Sequence, residues 1–150
     1  MLKFVVLAAA LATASPAAGS AVQVQDGWAR ATAAGAPSGA IYLTLTDTGA
    51  ADQLVGVSTP VAATAEVHET TNDNGVMRMR PVKALALTPG QPVTLKPGGY
   101  HIMLMGMKQQ LKPGDSFPVT LTFQHSAPVT ATITVTKAGA MGPGMKMPGM

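Results

Sequence analysis

From Val22 onward the chain alternates between large apolar residues and small or polar ones. In the run from Ala40 to Thr46, Ile41, Leu43 and Leu45 share one parity. Val119, Leu121 and Phe123 share a parity against Thr120 and Thr122, and Ala131 to Thr136 repeats the pattern. A period of two marks a half-buried strand, because successive side chains point to opposite faces. Turn residues separate the runs at 35–37, 73–75, 89–90, 97–99 and 113–115, all rich in Gly, Pro, Asn or Asp. Helical periodicity is nowhere sustained. The pattern predicts about eight or nine strands, near 22–30, 38–47, 53–58, 62–69, 75–81, 93–95, 100–105, 117–124 and 128–136. Short strands at this spacing make an all-β antiparallel sandwich or small barrel, with Greek-key connections.

The two ends break the pattern. Lys3 precedes an apolar run from Phe4 to Ala12, and small residues continue through Ala21. These are the three parts of a secretory signal, and the apolar run is too short for a permanent span. Cleavage is expected between Ala14 and Ala21, where the small-residue rule selects no single bond. From Lys137 to Met150 the chain is Gly-, Pro- and Met-rich and is expected to be a mobile tail. The expected organisation is a signal at 1–21, a β domain at 22–136 and a tail at 137–150. The processed chain is expected to be exported, with no further membrane span.

Composition narrows the chemistry. There is no cysteine, which excludes disulfides, thiolate metal sites, cysteine nucleophiles and blue-copper centres from these 150 residues. Charged residues make up 11% and the formal charge is +3, too weakly basic to suggest a nucleic-acid partner. Paired carboxylates, a Ser/His/Asp set and a phosphate loop are not apparent, so no enzymatic activity is expected. The ten methionines outnumber the one Trp, two Tyr and three Phe together.

Alternation gives the methionines a setting. Over Tyr100 to Met107, His101, Met103 and Met105 share one face and Ile102 and Leu104 the other. If Ile102 and Leu104 face the core, an imidazole and thioethers lie together outside. Such a soft, neutral donor set favours Cu(I) over Zn(II), Mg(II) or Ca(II). The plainer alternative is a buried strand whose methionines fill gaps. Earlier in the chain, Val67 is expected to point inward and His68 outward. Beyond the turn near Asn74-Gly75, Met77 and Met79 share one face, with Met77 expected in the core. A hairpin at that turn could bring His68 and Met79 to one side of the sheet.

His68, Met79, His101 and Met103 reproduce the spacing H-x10-M-x21-H-x-M, for which the chance expectation is roughly 3 in 10,000. In this the chain resembles the periplasmic copper chaperones of the PCuAC type. The surrounding segments, Trp28-Ala29-Arg30, Gly75 to Pro81 and Pro97 to Met105, strengthen the likeness, which covers residues 22–135. The resemblance implies a cupredoxin-like Greek-key β-barrel in the periplasm. It implies one Cu(I) held by His68, Met79, His101 and Met103, and delivery toward the CuA centre of cytochrome c oxidase. The implied partners are the copper ion, oxidase subunit II and Sco-type proteins, with the chaperone acting as a monomer. Met141, Met145, Met147 and Met150 could add a second copper site on the tail, and His125 reads as a solvated loop residue. The rival reading is a structural or adhesive exported β-sandwich with an incidental His/Met cluster.

Overall fold

The computed structural model describes residues 21–137, so all but the last residue of the expected signal and all but the first residue of the expected tail lie outside the described residues. Ten strands follow one another: β1 (Val22–Arg30), β2 (Ser38–Asp47), β3 (Asp52–Ser58), β4 (Ala62–Asp73), β5 (Val76–Pro81), β6 (Leu85–Leu87), β7 (Val93–Thr94), β8 (Tyr100–Met107), β9 (Ser116–Phe123) and β10 (Val129–Thr136). Among the described residues there is no helix, and thus none long and apolar enough to cross a membrane.

Seven strands close a barrel in the order β4, β8, β2, β1, β10, β9, β3, and the Val57–Ala65 pair returns β3 to β4. Closure removes the unpaired backbone edges that an open sheet would expose. Among the described residues only the β1–β10 pairing is parallel. The alternation read from the sequence sorts the faces: Ile41, Leu43, Leu45, Ile102, Leu104, Val119, Leu121 and Ile133 fill the interior, each at most 1% exposed. Burying one such side chain contributes on the order of 1.5–3 kcal/mol, so this interior is the main source of stability. A second, smaller apolar cluster forms outside, where Trp28 and Tyr42 stack with ring centroids 4.6 Å apart.

The remaining strands are additions to the ring. Strand β6 was not expected, because three residues between Pro81 and Pro89 are too few to show a period. Strand β4 runs to Asp73 instead of ending near 69. Residues Ala62 to Glu69 pair with β8, and the last six residues, His68 to Asp73, pair with β5 in a hairpin arm. The arm turns through Asn74 and Gly75, at φ 51° and 85°. Two successive positive φ values suit the twist of a hairpin and need residues such as Asn and Gly, which the sequence supplies. The Asn72 side chain also accepts from the Gly75 N–H at 2.9 Å.

Candidate metal centre

The site is built on the β4–β8 pair. Register places His68 opposite His101, Val67 opposite Ile102 and Glu66 opposite Met103. Val67 and Ile102 are buried in the interior, so alternation turns His68, His101 and Met103 outward. The two imidazole rings lie 5.9 Å apart, inclined by 40°. Met79 on β5 opposes Thr70, two residues beyond His68 on the same face. Met79, His101 and Met103 line one cleft of about 410 Å3, together with Arg30, Tyr42 and Pro97. His68 is not among the lining residues; it meets the cleft through His101. The structure therefore brings the four motif positions to one outer region.

Their settings differ. His101 is 6% exposed, the His68 side chain 15%, Met103 is half-buried and Met79 is 53% exposed. Burial pushes the pKa of His101 below its usual range; the neighbouring His68 adds to this and a hydrogen bond with the Gly99 backbone opposes it. The ring is thus held in its neutral form, which is the form that can donate a lone pair to a metal. Tyr42 lies 6.4 Å from His101, with the Arg30 guanidinium 5.6 Å from its ring centre. Burial raises the Tyr42 pKa, with Arg30 pulling the other way.

The donor set fits a soft ion. Among the described residues no three His, Cys, Asp or Glu side chains are grouped to hold a metal. Beside the two imidazoles, the thioethers of Met79 and Met103 are the further donors that this region offers. Neutral sulfur and nitrogen donors of this kind match Cu(I) chemistry.

Two neighbours of the site were not singled out from the sequence. Glu66 Oε2 lies 3.2 Å from His68 Nε2, a hydrogen bond the ring donates when that nitrogen carries its proton. Glu66 precedes His68 by two residues, so its parity alone could have placed it on this face. The Trp28–Tyr42 stack beside His101 depends on pairing between β1 and β2, which no local pattern reveals. One expectation is corrected: Met77 does not enter the core and is 60% exposed, because β5 lies on the arm and every residue of it is exposed.

His125 lies exposed between β9 and β10. Its backbone N–H donates to Asp52, which also accepts from Gln53 and from the Ser126 N–H and hydroxyl. Burial alone would raise the Asp52 pKa, but these donors hold it far below the usual carboxylate range. The loop is pinned through backbone groups, and the His125 ring takes no part in that network.

Comparison with known proteins gives these observations a family setting. The family model described as "Putative lipoprotein LpqE-like" matches residues 22–135. "Putative lipoprotein Lxx21020" of Leifsonia xyli subsp. xyli is 34% identical over 116 residues, covering 76% of this chain and 69% of the relative. The solution structure of CuI-DR1885 from Deinococcus radiodurans is 31% identical with a TM-score of 0.64, covering 80% of this chain and 81% of that one. The copper-bound PCuAC domain from PmoF2 matches with a TM-score of 0.68 at 23% identity, covering 80% and 96% of the two chains. That last likeness speaks to the fold alone. With the closed barrel, it makes the architecture cupredoxin-like, as the sequence resemblance implied.

Proposed function

The chain belongs to the LpqE-like family, of the PCuAC type, and from that premise we propose that it is an exported, periplasmic copper chaperone. It binds one Cu(I) through His68, Met79, His101 and Met103 and passes it toward the CuA centre of cytochrome c oxidase. The observation that carries the reading is the facing pair His68 and His101, with Met103 and Met79 bordering the same cleft. The likeness to CuI-DR1885 at 31% identity supports copper as the cargo. The lipoprotein description of the family supports export.

The donors suit a carrier. Imidazole and thioether hold a monovalent ion without thiolates, which oxygen would oxidise. The gradient of exposure orders the release. Met79 is the most exposed donor and His101 the most buried, so an incoming ligand displaces Met79 first while His101 still holds the ion. With no cysteine in the chain, a blue-copper redox centre has no thiolate to form on.

Native mass spectrometry of anaerobically Cu(I)-loaded protein tests the reading. One tightly held copper is expected, with X-ray absorption showing nitrogen and sulfur neighbours together. A protein that binds no Cu(I), or a bound copper with only nitrogen and oxygen neighbours, would sink it.

A further inference from the structure

Asp47 ends β2 and is not among the residues that line the His/Met cleft. It points into the barrel and is 1% exposed. One oxygen, Oδ1, accepts from the Gly49 N–H at 2.9 Å. The other, Oδ2, has no hydrogen-bond partner. A buried carboxylate oxygen without a donor is costly, and native proteins normally pair such groups. Ala21 lies nearby in the register, one residue before Val22, the strand partner of Asp47. Thr48 holds the Ala21 carbonyl through both its N–H, at 2.8 Å, and its hydroxyl, at 2.7 Å. A Cβ at Gly49 would lie 2.7 Å from the Ala21 Cβ and 3.8 Å from Asp47 Oδ1, so the residue and the carboxylate border one small volume.

We propose that the leader is removed at the Ser20–Ala21 bond and that Asp47 is the counter-ion of the new N-terminus. The sequence allows the cut: Ala18 and Ser20 are the small residues that a leader peptidase needs three and one positions before the bond. In the step, water adds across the amide. The C–N bond breaks, hydroxyl goes to the Ser20 carbonyl carbon and a proton to the Ala21 nitrogen, which takes a second proton from solvent at neutral pH. One neutral N–H is replaced by an ammonium with three donors, its ordinary pKa being about 7.7–8.0. That group supplies the donor and the charge that Asp47 Oδ2 lacks. The ion pair would tie the start of β1 to the end of β2 where Val22 and Asp47 are register partners. Gly49 completes the fit, since any side chain there would press on Ala21. This inference is independent of copper binding.

The full chain, secreted by an exporting bacterial host, is to be recovered and its intact mass and N-terminal sequence determined. A start at Ala21 is expected, and a start elsewhere, such as Ser15 after the Ala12-Thr13-Ala14 stretch, overturns the proposal. Thermal unfolding of the exported protein is then compared with a form whose α-amine is acetylated, each with Asp47 and with Asp47→Asn. Acetylation is expected to lower Tm by about 3–6 °C with Asp47 and by under about 1 °C with Asn. Equal shifts in both backgrounds overturn the ion pair. Should Asp47→Asn not fold, an acetylated protein with Asp47 intact and an unchanged Tm overturns it equally. Copper stoichiometry is expected to be the same in every form, which separates this result from any failure of the copper reading.

Discussion

Strands β8 and β5 bring residues to the same cleft from opposite settings. Strand β8 lies between β4 and β2, its inward residues Ile102 and Leu104 fully buried, its outward His101 nearly so. Strand β5 pairs only with β4, and all six of its residues are exposed. His101 and Met103 are thus fixed by the barrel wall, whereas Met79 is offered on an arm that contributes nothing to the core. For the proposed copper site, the difference teaches how an ion can be held and still be released. Donors on the wall cost nothing further to organise, because folding has already placed them. A donor on the arm can leave without disturbing the interior. The Arg80–Glu69 pair at 2.7 Å ties the arm to a β4 residue that also pairs with Tyr100 of β8, and the positive-φ turn shapes its tip.

The largest effect that can break this contrast is on stability. Leu104→Ala is expected to cost about 2–5 kcal/mol, because it opens a cavity in the closed barrel; denaturant unfolding measures it. A loss under about 1 kcal/mol would mean that β8 is no more anchored than the arm. Copper affinity should follow the same order. His101→Ala is expected to weaken Cu(I) binding on the order of 100-fold and Met79→Ala on the order of 10-fold, by competition with a chromophoric chelator. His125→Ala should leave the affinity unchanged. If Met79→Ala costs as much as His101→Ala, the wall and the arm hold the ion equally.

A smaller effect sharpens the comparison through pH. The lowered pKa of His101 means that the unfolded chain takes up this proton first. The stability His101 contributes is complete above the ordinary histidine value of about 6.5 and is lost as the pH falls from there toward the lowered folded value. Between about pH 7.5 and about pH 5.5, wild-type Tm should therefore fall further than that of His101→Leu. Parallel declines would show that burial of His101 is not what the proton senses. The smallest effect belongs to the arm. Met77→Ala should change stability by no more than about 0.5 kcal/mol, as for other exposed positions. A larger cost would reveal packing that the 60% exposure of Met77 does not suggest.

Much of this was legible before the fold was known, because strand alternation is a property of a few adjacent residues. It put Ile102 and Leu104 on one face and His101 and Met103 on the other, leaving open which face is buried, and it pointed Val67 to the core and His68 to the surface. The Asn74-Gly75 turn was equally local, since only its own φ angles had to be accommodated. Spacing alone linked His68, Met79, His101 and Met103, but their meeting needed register, and register is set by pairing between distant strands. Whether His68 faces His101 depends on where β4 meets β8, and that depends on the ring closing at Val57 and Ala65. The same holds for Met77. Its alternation fitted a core residue as well as an exposed one, and only the projection of the arm beyond the barrel decided. Glu66 beside His68, and the orphaned oxygen of Asp47 beside Ala21, belong to this second kind. Local sequence determined which way each side chain points along its strand; what it points at was decided by the closure that brought remote strands together.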